Sequence, residues 1–332
     1  MSRALIDGYD AALFDLDGVI YLGPEPVPAA PATIAALRAG GVKVGFVTNN
    51  AARSTTTVAE VLQGMGIQVG AADVVSSAQA ITDLAAAQLP AGAKVLIVGT
   101  EALAQEARIR GLEPVAGADD EPAAVIQGYH PQMPWSLLVE AGIAVQHGAR
   151  WYGANPDMTR PTDRGLVPGI GVQLAAVEAT VNVEPVIAGK PHRPLLDATV
   201  ARLGCTSPIF VGDRLDTDVL GANGAGMGSL FVLSGAHGKD DLLHAGPQSR
   251  PQFIAKDVSG LLAEPRRAVI DGDRALCRAG EAVVRDGIAQ ISSPVVSDLD
   301  AQLDCLAALL ALVWSGRGTA SHQDLAVLDL VH

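Results

Sequence analysis

Apolar positions along this chain recur with two periods in turn. Short strand-length runs are followed by longer stretches with apolar residues every third or fourth position. Tyr9 to Phe14 (YDAALF) predicts a strand, Ala30 to Ala39 a helix, and Lys43 to Val47 (KVGFV) a buried strand. Ser54 to Met65 predicts another helix, with Ser54 as its N-cap. A second set follows: strand Lys94 to Val98, helix Glu101 to Arg110, strand Ala123 to Gln127 and helix Trp135 to His147. Beyond Arg150 to Gly153, residues 154–171 form a Pro/Gly/Asn-rich loop, then Gly171 to Thr180 is helical. Loops of that length in compact domains tend to carry function. Val186 to Ala188, Pro208 to Val211 and Ser229 to Leu233 predict strands, separated by helices Arg193 to Leu203 and Thr217 to Ala225. Such alternation implies right-handed βαβ units and a parallel sheet. After Pro265 the style changes: AVIDGDRALCRAG and EAVVRDGIAQI are two strand-like runs suited to one hairpin, and Asp298 to Trp314 is a strongly apolar amphipathic helix.

Composition narrows the partners. With 23 basic and 36 acidic residues the net charge is −13, and no Lys/Arg run interrupts it. Nucleic acid and anionic membrane surfaces are poor partners for such a chain. A small anionic substrate then needs a local positive site. The apolar run Leu306 to Trp314 is about half the roughly 18 residues a membrane span requires. Cys205, Cys277 and Cys305 are widely spaced, odd in number and without a CxxC pair, which suits free buried thiols in a reducing cytoplasm.

Four segments fall at the carboxyl ends of expected parallel strands, where open α/β sheets hold their ligands. They are DLDG (Asp15 to Gly18), VTNN (Val47 to Asn50), AGKPH (Ala188 to His192) and VGDRLDTD (Val211 to Asp218). Each alone has a plain alternative: a turn for DLDG, a helix cap for Thr48 and Asn49, a solvated Lys190, dipole-stabilising acids for Asp213, Asp216 and Asp218. Together they supply a nucleophile, an acid/base, cation ligands and phosphate clamps. Lys190 precedes Pro191, so no P-loop is present, and the aspartates lack the spacing of an EF-hand.

DLDGVIYLG, TNNAARS, GKPHRPLL and GDRLDTDVLGA resemble the four motifs of the haloacid-dehalogenase-like phosphatases. They are most similar to the branch with an α/β cap inserted between the second and third motifs, which includes phosphoglycolate, nitrophenyl phosphate and glycerol-3-phosphate phosphatases. Within that branch the resemblance is to the actinobacterial glycerol-3-phosphate phosphatases. It implies an α/β fold: a Rossmann-like doubly wound parallel core, residues 1–81 and 184–262, with an α/β cap, residues 82–183. A small C-terminal α+β region, residues 265–332, lies outside the resemblance. The resemblance also implies Asp15 as nucleophile and Asp17 as acid and base, with Thr48, Asn49 and Lys190 on the phosphoryl oxygens. One Mg²⁺ is implied on the Asp15 carboxylate, the Asp17 carbonyl and the Asp213 carboxylate, supported by Asp218.

The implied substrate is a small phosphorylated metabolite: glycerol 3-phosphate first, 2-phosphoglycolate second, or a broader range of nucleotide or sugar phosphates. The non-enzymatic alternative is a binding module that kept the fold. The segment Asn155–Pro156–Asp157 resembles the cap's NPD signature, and Asp157 either faces substrate hydroxyls or closes an Asx turn. Arg160 and Arg164 either meet a second anionic group or are solvated; Trp135 is expected to pack, His130 to lie in the cap, and His192 either to line the cleft or to start a helix. The C-terminal hairpin and helix faintly resemble part of an acetyltransferase-like fold, but no pyrophosphate loop accompanies them. The helix stripe must bury one face, which leaves room for a homo-oligomer through the cap or the C-terminal region.

Overall fold

The computed structural model describes residues 3–162, 164–294 and 297–330. Met1, Ser2, Asp163 of the expected loop, and Val295, Val296, Val331 and His332 of the expected C-terminal region lie outside the described residues. The chain forms two compact units, Met1–Val44 with Cys205–His332, and Gly45–Gly204.

The first unit opens with β1 (Ala11–Phe14), the short antiparallel pair β2 (Tyr21–Leu22) and β3 (Glu25–Pro26), and α1 (Ala30–Ala39). The chain then leaves it within β4 (Lys43–Thr48). In the second unit α2 (Thr55–Gly64) is capped by Ser54, whose Oγ accepts from Thr57 N–H at 3.1 Å. β5 (Val74–Ser76) pairs in parallel with β4 and runs straight into α3 (Ser77–Gln88).

There follow β6 (Lys94–Val98), α4 (Glu101–Ile109), β7 (Glu113–Val115), β8 (Ala124–Gln127), α5 (Trp135–Gln146) and β9 (Arg150–Gly153). The expected long loop instead folds in part into an antiparallel hairpin, β10 (Thr159–Thr162) and β11 (Gly165–Pro168), before α6 (Ile170–Glu178). β12 (Val186–Ile187) and α7 (Arg193–Leu203) complete the unit. Its parallel sheet has the order β12-β9-β8-β6-β7.

The compact units fall differently from the expected cap limits of 82 and 183. The reason lies in two elements. β12, expected in the core, is the edge strand of the cap sheet, paired with β9. Helix α3 ties the sheet down from the other side, since the Tyr152 hydroxyl on β9 donates to Gln88 Oε1 at 2.9 Å.

Back in the first unit, β13 (Pro208–Gly212) leads into one wide turn, Leu215–Val219, and α8 (Leu220–Gly224). β14 (Gly228–Val232), α9 (Lys239–His244) and β15 (Phe253–Ala255) follow, and the parallel order is β15-β14-β13-β1. Where one hairpin was expected after Pro265, four antiparallel strands form a meander: β16 (Val269–Asp271), β17 (Arg274–Cys277), β18 (Gly280–Arg285) and β19 (Ile288–Ile291). α10 (Leu299–Trp314), capped by Asp298 Oδ1 on Ala301 N–H at 3.0 Å, packs on that sheet. A short α11 (His322–Leu325) ends the chain.

The C-terminal region shares one core with the parallel sheet of the first unit. Leu303, Leu306, Leu309 and Leu310 of α10 lie in the same buried cluster as Leu215, Val219, Leu233, Leu242 and Ile254. Polar contacts seal the seam: Trp314 Nε1 donates to the Leu242 carbonyl at 3.1 Å, and Arg250 Nη1 to the Trp314 carbonyl at 2.8 Å. The apolar face of the helix is therefore covered within the chain.

Candidate active site

In the first unit, Asp15 follows the last residue of β1, and its N–H donates to the Val211 carbonyl at 3.0 Å, extending the ladder with β13. Asp213 follows the last residue of β13. Asp218 comes from the wide turn, where its Oδ2 accepts from Arg214 N–H at 3.1 Å. One carboxylate oxygen from each of Asp15, Asp213 and Asp218 lies within 4.8 Å of the others. Asp213 and Asp218 are buried. At an effective dielectric of about 20, each pair of such charges repels by at least about 3.5 kcal/mol. A hard divalent cation with oxygen preference offsets that repulsion, so the donor set fits Mg²⁺. The structure thus brings Asp218 into the carboxylate group itself. Asp17 is exposed and its carboxylate stands outside the trio, accepting from the Tyr21 hydroxyl at 3.4 Å.

Backbone presses on Asp213 from two sides. A Cβ on Gly18, whose φ is +85°, would stand 2.3 Å from Asp213 Oδ2, and one on Gly235 only 1.9 Å from it. Ala236 N–H donates to Oδ2 at 2.6 Å and His237 N–H to the Asp213 carbonyl at 3.2 Å. His237 Nδ1 in turn accepts from Leu215 N–H at 3.0 Å, and Ser234 Oγ donates to the Gly18 carbonyl at 2.7 Å. Sequence reasoning missed this loop, Ser234 to His237. The signal was the run of small residues SGA after β14, another parallel strand end of the same sheet.

In the second unit, Thr48 ends β4, buried, with its Oγ1 accepting from Asn50 N–H at 3.1 Å. Lys190 is 2% exposed, its Nζ lies 3.5 Å from the Val47 carbonyl, and its bond to Pro191 is cis. Asn49 was expected on a phosphoryl oxygen, but its amide is engaged within the chain. Oδ1 accepts from Lys190 N–H at 2.9 Å, while Nδ2 donates to the Lys190 carbonyl at 3.1 Å and to Asp157 at 3.2 and 3.3 Å. Asn155 Nδ2 donates to the Asn49 carbonyl, and Asn155 Oδ1 accepts from Asp157 N–H at 3.1 Å. The Asx turn is therefore closed by Asn155, and the Asp157 carboxylate faces Asn49.

The remaining candidates are local. His192 is the exposed N-cap residue of α7. His130 Nδ1 accepts from Gln132 N–H at 3.0 Å within its own turn. Trp135, expected to pack, is 72% exposed, because α5 starts with it and buries Ala141, Gly142, Ala144 and Val145 instead. Arg160 lies 5.3 Å from the Tyr129 ring centroid, and Arg164 is exposed. Asp216 is exposed and paired with Arg214 at 2.8 Å. Among the described residues no helix is long and apolar enough to cross a membrane.

Carboxylates at the ends of adjacent parallel strands, in a fold with an inserted α/β cap, define a class of hydrolase. The haloacid dehalogenase-like hydrolase family matches residues 12–113, and an HAD-hydrolase-like family matches residues 187–261. The chain belongs to the haloacid dehalogenase-like hydrolases. It is 39% identical over 330 residues to D-glycerol 3-phosphate phosphatase of Mycobacterium tuberculosis, covering 97% of this chain and 90% of that one. A crystal structure of glycerol phosphate phosphatase from the same organism, in complex with magnesium, superposes with a TM-score of 0.87 at 37% identity, covering 99% of this chain and 100% of that one. An acid sugar phosphatase of Staphylococcus aureus is 31% identical over 258 residues, 77% of this chain and 98% of its own.

Proposed function

We propose that this protein is a Mg²⁺-dependent phosphomonoesterase that hydrolyses glycerol 3-phosphate to glycerol and phosphate. The observation that carries the reading is the carboxylate trio at the ends of β1 and β13 and in the turn that follows β13, in a chain matched along 97% of its length by a D-glycerol 3-phosphate phosphatase. Asp15 is the nucleophile: its carboxylate attacks phosphorus and forms an aspartyl-phosphate as the alkoxide leaves. Asp17 gives its proton to the leaving oxygen, then takes one from the water that cleaves the aspartyl-phosphate. Asp17 is exposed, so its carboxyl is open to the solvent that supplies and takes up these protons. The Thr48 hydroxyl and the Lys190 ammonium bind phosphoryl oxygens, offsetting charge where most of the barrier lies. Asp15, Asp213 and the Asp17 carbonyl, with Asp218 beside them, would hold Mg²⁺, which would supply charge neutralisation to the phosphoryl transfer. The three cysteines are buried and form no disulfide, in keeping with a cytoplasmic enzyme.

A phosphate-release screen in Mg²⁺ tests the reading. It compares glycerol 3-phosphate with 2-phosphoglycolate, sugar phosphates, nucleotides and nitrophenyl phosphate. The expected outcome is the highest kcat/KM on glycerol 3-phosphate. A higher value on a sugar phosphate would move the substrate class, and no release from any ester would overturn the assignment as a phosphatase.

A further inference from the structure

We infer that the Asn49 side chain, oriented by Asp157, positions Lys190 and is not itself a ligand of the phosphoryl group. The inference rests on Lys190 being a phosphoryl clamp, as proposed above.

The argument is one of donor capacity. A carboxamide has two N–H donors. One of Asn49's goes to the Lys190 carbonyl and the other to the Asp157 carboxylate, so neither remains for a phosphoryl oxygen. Its Oδ1 meanwhile accepts from Lys190 N–H. The amide thus grips both main-chain groups of one residue, as a neighbouring strand would, at a place where no strand runs. Only a group with a donor and an acceptor side by side can do this. The reverse orientation of the amide would set Oδ1 against a carboxylate and a carbonyl, and Nδ2 against an N–H, so Asp157 fixes which way it points. Gly189 lets the backbones approach this closely: a Cβ there would stand 2.7 Å from Asn49 Oδ1 and 2.6 Å from the Ala154 carbonyl. Ser77 Oγ and Asn155 Nδ2 both donate to the Asn49 carbonyl, holding the residue at its other end. Asp157, Asn49 and Lys190 therefore form a relay of position, with the ammonium as the working end.

A double-mutant cycle on kcat/KM for glycerol 3-phosphate tests this. Lys190→Met is expected to lose about 10²- to 10³-fold, as for removal of one electrostatic donor. Asn49→Ala is expected to lose about 10- to 100-fold, the cost of an ångström-scale misplacement. In the Lys190→Met background, Asn49→Ala should change kcat/KM by less than about twofold, since it acts only through the lysine. Asp157→Ala, which leaves Asn49 in place, should show a smaller loss that also vanishes in that background. Calorimetric Mg²⁺ binding, read on every variant, should stay at the wild-type value. Losses that multiply in the double variants would show that Asn49 meets substrate on its own and would overturn the inference. Wild-type turnover in Lys190→Met would instead sink the clamp role of the lysine, and with it the premise.

Discussion

Gly235→Ala should damage the metal site while leaving the rest of the fold in place. The added Cβ would stand 1.9 Å from Asp213 Oδ2 and 2.3 Å from its Cγ, closer than the 3.0 Å below which real Cβ atoms are essentially never found. Asp213 is buried, and Gly18 blocks it from a second direction, so the carboxylate must move by about 1 Å or the Ser234–His237 loop must lift. Either response stretches the 2.6 Å bond from Ala236 N–H. A hydrogen bond to a charged group contributes about 1.5–3 kcal/mol. Losing half of that in the metal-binding state weakens Mg²⁺ by about 4- to 12-fold, and an ångström of misplacement costs about 10² in turnover. Two assays separate the effects. One is Mg²⁺ titration of phosphate release. The other is thermal unfolding with and without Mg²⁺: at 100 times Kd the ion stabilises the fold by about 2.7 kcal/mol, and a tenfold weaker site gives up about 1.4 of it. Gly246→Ala, with nothing within 4 Å of the added methyl, is the control. Wild-type Mg²⁺ affinity and turnover in Gly235→Ala would refute the reasoning.

Asp15→Asn should abolish turnover by many orders of magnitude, because an amide cannot act as the nucleophile; near-wild-type phosphate release from a deamidation-free preparation would contradict that role. Asp17→Asn should slow glycerol 3-phosphate far more than nitrophenyl phosphate, since an alkoxide needs a proton on leaving and a nitrophenolate hardly does; equal losses would give Asp17 another job. Burial, with the Asp304 carboxylate adding to it, pushes the Cys277 thiol up to about 11 from 9.0. The unfolded thiol ionises first, so stability falls as pH rises between those values, and Cys277→Ala should flatten that part of the urea-midpoint profile; an unchanged slope counts against it. Deleting residues 265–332 should leave no soluble phosphatase. It uncovers Leu233, Leu242, Leu243 and Ile254, at about 1.5–3 kcal/mol per side chain, against a net stability of about 5–15 kcal/mol. A soluble, active truncation would show that the core closes without the region.

Much of the fold was legible where local signals agreed. Helices α1 and α7 run over the residues expected, each with a proline in its first turn, and α7 ends on Gly204 in the left-handed conformation. Ser54 and Asp298 cap as their side chains predict. α3 went unassigned because SAQAITDLAAAQ is rich in small residues, so its apolar stripe is faint. The C-terminal strands were counted as two because each run hides a turn. Gly272 and Asp273 join β16 to β17, and Asp286 with Gly287, both at positive φ, join β18 to β19. Gly-Asp and Asp-Gly between alternating apolar residues are both hairpin signals, and each stood once in these two runs. At the site, Asp15 and Asp213 directly follow strand ends, whereas Asp218, in the turn beyond β13, was singled out by the motif resemblance. The engagement of Asn49 was not legible, because it depends on partners 108 and 141 residues away.

The C-terminal region belongs to the scaffold of the carboxylates. Leu215 and Val219, the ends of the turn that presents Asp218, lie in one buried cluster with α10 and the meander. Leu233, one residue before the loop that grips Asp213, lies there too. Close backbone approach makes that cluster stiff. A Cβ on Gly280 of β18 would stand 2.2 Å from the backbone of Asp304, so strand and helix meet with no side chain between them. At the same crossing Arg266 Nε holds Asp304 Oδ1 at 3.0 Å, both buried. Burial raises the Asp304 carboxyl and the Arg266 and Arg278 charges oppose it, so the pair is a costly device that fixes one register of helix on sheet. A packed interior transmits displacement instead of absorbing it. The apolar contact between this region and the segments that carry Asp213 and Asp218 therefore runs through Leu215, Val219 and Leu233.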